Sequence, residues 1–330
     1  MSGLLARIRM IHRMYSIQRI SRNEFIPVRH LQYHVRCWGT LSTSHAPLAP
    51  LVLLHGWMDV GASYQFVVDA LSEAFMQGRQ VIAPDWRGFG LTKTGAHDTA
   101  TPPSGTQDCF WFPDYLADLD FLLDHYAPGQ AVDLVGHSMG GNVAMLYAGV
   151  RPERVRRLIN LEGFGMPATK PEQACGRYAK WMDELKSLHR GEIALKPYDD
   201  AAGVARRLMK NNPRLTADKA EWLAPHWAQP NAQGQWQILG DAAHKLVNAN
   251  LYQVDEVLEI YQRITAPTLS VEASHNQMDQ WWQGRYTVAE FHERLKNVPT
   301  VRQAQVTDAG HMLHHDQPQQ VAALIEGFVA

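Results

Sequence analysis

The chain of 330 residues is poor in cysteine: Cys37, Cys109 and Cys175 are the only three, and no two form a CxxC pair. That excludes a disulfide scaffold and a cysteine-based zinc site, and it fits a reducing, cytoplasmic setting. Surplus charge is also lacking. Against 31 Lys and Arg stand 33 Asp and Glu, a formal net charge of −2, so there is no basic field to hold nucleic acid. No apolar run reaches the roughly 18 residues of a membrane helix, so no integral membrane segment is expected. Neither G-x-G-x-x-G nor G-x-x-x-x-G-K-[ST] occurs, so no nucleotide cofactor is expected. What is present is enough apolar sequence for a core, 45% hydrophobic against 19% charged. At about 150 residues per domain the length exceeds one ordinary domain and falls short of three. One large sheet domain with an inserted subdomain fits as well as two modules.

The N-terminus stands apart. Arg7, Arg9, Arg13, Arg19 and Arg22 precede the first acid, Glu24, with Leu4, Leu5, Ile8, Ile11 and Ile20 interleaved. Two readings fit: an amphipathic basic targeting helix, which leaves organellar targeting open, or a loose extension over residues 1–24, with Met14 as an alternative start.

Further on, strands and helices alternate. Residues 31–36 alternate with period two, as an edge or antiparallel strand does. Short, mostly apolar runs at 51–54, 80–83, 131–135, 158–161 and 267–271 suit strands buried on both faces of a parallel sheet, and 300–306 adds one more. Between them Tyr115, Leu116, Leu119, Leu122, Leu123 and Tyr126 recur at helical spacing, and further helices are expected from Ser138 to Ala148 and from Pro318 to Phe328. The pattern predicts a doubly wound α/β sheet. Residues 163–264 break the rhythm, with helix formers, no clear strand, and Trp181, Trp222, Trp227 and Trp236. They read as a helical insertion between the two parts of a core, 25–162 and 265–330. Its tryptophans either line a substrate pocket or pack the insertion onto the sheet.

The chemistry concentrates in Gly136-His137-Ser138-Met139-Gly140. This G-x-S-x-G directly follows an apolar strand and opens a helix, the context of a nucleophile elbow, where a strained turn lifts the serine hydroxyl clear of the sheet. With these residues the chain resembles the α/β-hydrolase superfamily, serine-nucleophile type with a helical cap. The resemblance implies an α/β-hydrolase fold, a mostly parallel doubly wound sheet with an inserted helical cap. It also implies a base in the loop after the last strand, where Asp308-Ala309-Gly310-His311 points to His311. His314 and His315 are expected to pack or cap. A metal held by the three histidines is disfavoured, because their spacing is not H-E-x-x-H. The oxyanion hole is implied at the backbone N–H groups of Met139 and Trp57, with His55 as a loop organiser. Asp85-Trp86-Arg87-Gly88-Phe89-Gly90 matches a structural loop of the superfamily, expected to be held by a charged pair.

The triad acid departs from the commonest pattern. The position past strand 268–272 that usually carries Asp falls on Asn276, which cannot stabilise an imidazolium. Glu162, at the end of the preceding strand, occupies the position used by a subset of the superfamily, some haloalkane dehalogenases among them. Asp279 is the alternative acid, and Glu272 or no acid at all are the further readings. A serine nucleophile argues against the aspartyl-ester chemistry of dehalogenases and epoxide hydrolases. The expectation is a serine esterase or thioesterase working through an acyl-enzyme on a small, partly apolar acyl substrate. A carbon–carbon bond hydrolase of the same fold and a non-catalytic binding protein are the alternatives. Oligomeric state is not legible.

Overall fold

The computed structural model describes residues 14–40, 48–94 and 108–330. Its central sheet is built from β1 (Arg22–Val28), β2 (Leu31–Trp38), β3 (Leu51–Leu54), β4 (Val81–Pro84), β5 (Lys93–Thr94), β6 (Val132–His137), β7 (Val155–Leu161), β10 (Thr268–Ala273) and β11 (Val301–Val306), with β8 (Ala228–Pro230) and β9 (Trp236–Ile238) forming a separate ribbon. The order is β1-β2-β4-β3-β6-β7-β10-β11, with β5 paired to β2. All pairings from β4 to β11 are parallel, and those of β2 with β1, β4 and β5 are antiparallel. Residues 51–54, 81–84 and 132–137 are buried at every position, which is why they read as apolar runs without alternation.

Helices pack on both faces. They are α1 (Gln65–Ala70), α2 (Glu73–Met76), α3 (Phe112–Tyr126), α4 (Met139–Val150), α5 (Ala174–His189), α6 (Ala201–Asn211), α7 (Ala217–Trp227), α8 (Val254–Gln262), α9 (Met278–Trp282), α10 (Val288–Leu295), α11 (Leu313–Asp316) and α12 (Pro318–Val329). Two apolar clusters flank the sheet, one under α3, α4 and α8, the other under α1 and α12. A third, with Val204, Leu208, Leu215 and Leu223 around Phe66, seats α6 and α7 on α1. Burying each such side chain is worth about 1.5–3 kcal/mol, so the segment between β7 and β10 is anchored by its own small core.

Two sequence expectations need correction, and a third resolves between its alternatives. Residues 22–24, assigned to a loose extension, open β1, and residues 14–21 are tied down. The Tyr15 hydroxyl donates to Asp69 at 3.0 Å, the Arg19 amide donates to Asp69 at 2.8 Å, and the Tyr15 ring packs edge-on against Phe66. The proposed targeting helix falls largely on residues 1–13, outside the described residues. Residues 31–38 form an antiparallel strand, one of the two readings the alternation allowed, and it lies between β1 and β4 rather than at an edge. The insertion carries a hairpin, β8–β9, where no strand was expected. Its polar loop is the turn itself, closed by the Gly234 amide donating to the Asn231 carbonyl at 2.9 Å, and three-residue strands are too short to show period two.

Candidate active site

Ser138 joins β6 to α4 with φ 52° and ψ −114°, a backbone conformation a non-glycine residue holds only where its surroundings force it. Two glycines allow the approach. A Cβ on Gly136 would lie 2.2 Å from the Gly140 carbonyl oxygen, and one on Gly140 would lie 2.3 Å from that of Leu54. The Ser138 amide donates to Leu161 O at 2.8 Å, fixing the turn to the end of β7. Ser138 is partly exposed and lines a cavity of about 920 Å³ together with His311, Trp57, Gly56 and Trp227.

Glu162 follows β7 directly, also at positive φ, 57°. Its buried carboxylate accepts from the Ala273 amide at 2.7 Å through Oε1 and meets His311 Nδ1 at 3.2 Å through Oε2. Burial pushes this carboxyl above its ordinary range, and His311 offsets part of the rise. With Nδ1 committed to Glu162, the ring's other nitrogen, Nε2, is left for another partner. The Trp281 indole packs edge-on against the ring at 4.5 Å.

The other carboxylates considered from sequence lie elsewhere. Asp279 is exposed at the start of α9 and has no contact with His311 among the described residues. Glu272 pairs with His292 at 2.6 Å. Asn276 Oδ1 accepts from the Met278 amide at 3.3 Å.

The backbone N–H of Met139 opens α4, where the helix dipole favours negative charge and first-turn amides lack an intrahelical acceptor. Trp57 is half exposed on the loop after β3. His55 is fully buried there. Its Nε2 accepts from the Trp86 amide at 2.9 Å, so Nδ1 carries the proton and donates to Gly56 O at 2.8 Å. The loop at 85–90 is held by charged groups, as expected, with both partners coming from outside it. Asp85 bonds His34 at 2.6 Å, and Arg87 grips Asp118 with two bonds of 2.6 and 2.8 Å.

Sequence reasoning missed a second polar cluster behind the turn. His137 Nε2 donates to the His311 carbonyl at 2.8 Å, so the residue before Ser138 holds the loop that carries His311. Its Nδ1 is buried with no hydrogen-bond partner among the described residues, as are both ring nitrogens of His314 and Oδ2 of Asp59. His314 Nε2 stands 3.6 Å from Asp59 Oδ2, too far for a hydrogen bond. The ligand atoms of Asp59, His137 and His314 lie within 4.8 Å of one another, a set that could hold a divalent ion. It is not the trio His311, His314 and His315 weighed from spacing. The tryptophans of the insertion divide. Trp222 and Trp236 pack in its core, Trp181 lies beside Trp111, and Trp227 lines the cavity while donating to Asp59 at 3.1 Å.

Comparison with known proteins agrees with this architecture. The profile of the alpha/beta hydrolase fold matches residues 49–318. A serine hydrolase-like protein of Danio rerio is 23% identical over 96% of this chain and 91% of its own length. An sn-1-specific diacylglycerol lipase of Xenopus tropicalis is 25% identical, with 86% of this chain and 79% of the lipase covered. The thioesterase domain from the curacin biosynthetic pathway superposes with a TM-score of 0.74 at 24% identity, covering 93% of this chain and 99% of that domain. No helix among the described residues is long and apolar enough to cross a membrane. On the profile match over most of its length, this chain belongs to the α/β-hydrolase fold family and is an enzyme of that family.

Proposed function

We propose that the protein is a serine hydrolase cleaving a carboxylic ester or thioester through an acyl-enzyme, with Ser138 as nucleophile, His311 as base and Glu162 as the acid. The observation that carries this reading is the 3.2 Å contact of His311 Nδ1 with the buried Glu162 carboxylate, on a ring that lines the same cavity as Ser138. His311 Nε2 takes the Ser138 proton as Oγ attacks the acyl carbonyl. The negative oxygen of the tetrahedral intermediate is received by the backbone N–H groups of Met139 and Trp57, each such donor being worth about 3 kcal/mol. The imidazolium then gives its proton to the leaving alcohol or thiol. In the second half His311 activates water, which attacks the acyl-enzyme and frees the acid and Ser138. Glu162 keeps the imidazole in the tautomer that exposes the Nε2 lone pair and stabilises its charged form.

In this reading the segment between β7 and β10 is the cap, closing over the acyl chain with Leu195, Leu208, Leu215 and Ile238, which line the cavity. The relative named as an sn-1-specific diacylglycerol lipase supports ester chemistry over carbon–carbon cleavage. The test is covalent labelling with a fluorophosphonate, together with turnover of p-nitrophenyl esters. Labelling and turnover that both disappear in Ser138→Ala are expected. A native protein that takes no label and turns over no ester refutes the proposal.

A further inference from the structure

We infer that the substrate carries an anionic group, which the cavity holds with Lys196 and Arg207 away from the scissile carbonyl. This deepens the hydrolase reading and rests on it for the position of the reacting bond. The cavity wall is divided by charge. Lys196, Arg207, Arg214 and Lys245 line it from the segment between β7 and β10, whereas the wall that holds Ser138 and His311 supplies no Lys or Arg and a single carboxylate, Asp59. Asp59 is not available to neutralise these cations, since it is buried and already accepts from the Val60 amide at 2.8 Å and from Trp227 at 3.1 Å.

The four cations are not equally engaged. Arg214 is paired with Asp308 at 2.5 Å, and Lys245 donates to the Ala194 carbonyl at 2.6 Å, which leaves its charge uncompensated. Lys196 and Arg207 are exposed and make no ion pair or side-chain hydrogen bond among the described residues. Like charges gathered in a concave, partly apolar site focus a positive potential and raise the local concentration of anions. A guanidinium fork and an ammonium lining one cavity suit a carboxylate, phosphate or sulfate oxygen pair. A neutral glyceride or simple alkyl ester would leave these charges idle. The same recognition serves an anion at the far end of the acyl chain or one on the leaving group.

The experiment sets two matched pairs against each other. Mono-p-nitrophenyl adipate against p-nitrophenyl hexanoate places the charge on the acyl chain, and hexanoyl-coenzyme A against hexanoyl N-acetylcysteamine places it on the leaving group. At low salt kcat/KM for the anionic member of at least one pair is expected to exceed that of its neutral twin by about tenfold. In Lys196→Ala/Arg207→Ala the ratio is expected to fall towards one, as it should for the native enzyme with rising ionic strength. A ratio near one in both pairs, or a ratio the double substitution leaves unchanged, overturns the inference. Calorimetric binding of the same compounds to Ser138→Ala reads anion recognition without turnover. Anion-selective binding with no hydrolysis by the native protein keeps the anion site and refutes the hydrolase, hydrolysis without selectivity does the reverse, and neither one refutes both.

Discussion

Two histidine–carboxylate pairs lie side by side in this molecule, and their environments are opposite. His311–Glu162 opens onto the cavity, the ring partly exposed, and its carboxylate sits where burial raises its proton affinity. In His314–Asp59 both side chains are almost wholly buried, Asp59 only touching the cavity wall. Burial also opposes the Asp59 charge, but His314 and its neighbours outweigh it and leave the carboxyl at about 2. A carboxylate held against its preference reports that the fold tolerates a penalty at that point, whereas one stabilised by its surroundings reports a structural tie. The first environment is what the proposed triad requires of its acid, and the second is what a structural tie requires.

The sharpest way to break that assignment is to neutralise each acid in turn. Glu162→Gln is expected to lower kcat by about 10³-fold or more, because the imidazole loses both its orienting acceptor and the charge that stabilises imidazolium. Its urea midpoint should hold or rise, since the raised carboxyl makes the buried charge a net burden that Gln does not carry. Asp59→Asn should do the opposite, weakening the fold by about 3 kcal/mol by removing the buried carboxylate that its histidine neighbours stabilise, while most of the turnover survives in the folded fraction. Steady-state kinetics and urea titration of the two variants decide it, and equal kinetic losses from both would dissolve the distinction.

The pairs also separate in acid. Asp59 has its folded-state value depressed from 3.8 to about 2, so its contribution is fully present above the unfolded value and is lost as pH falls through this interval. Glu162 has a raised folded-state value, so its penalty is relieved as pH falls through that value. Urea midpoints measured from pH 5 downwards should fall less steeply in Asp59→Asn than in the native protein, and the difference should concentrate between pH 4 and 2. An unchanged slope would mean that Asp59 is not a structural anchor.

Much of this site is legible in sequence, and the illegible part has a common physical cause. Gly136 to Gly140 reads as an elbow because the turn imposes its residue types locally, and 51–54 and 132–137 read as buried strands because both faces are covered. Glu162 is named as a candidate because it ends a recognisable strand. The contacts of Asp59, His137 and His314 join residues up to 255 positions apart in the chain, and no local period carries such information. The β8–β9 hairpin escapes for the reverse reason, as its strands are shorter than the window in which alternation can be seen. The glycine-rich loop at 85–90 shows the limit most clearly. Its composition announces a held turn, yet the partners that hold it, His34 and Asp118, come from β2 and α3.

The smallest expected effects lie at the acids that sequence spacing left in contention. Asp279 is exposed at the start of the short helix α9 and Glu272 is spent on His292, so neither is placed to compete for His311 Nδ1, which already meets Glu162. Asp279→Asn should change kcat less than about twofold, the range of exposed charges that act only through screened water. It is nevertheless an informative control, because Trp281, two residues on, packs edge-on against the His311 ring. Trp281→Ala removes that packing without touching any charge. A KM or kcat change there, with Asp279→Asn silent, would say that α9 serves His311 through its indole. A large loss in Asp279→Asn with Glu162→Gln active would instead move the acid to this helix and require the loop before it to close onto His311 in solution.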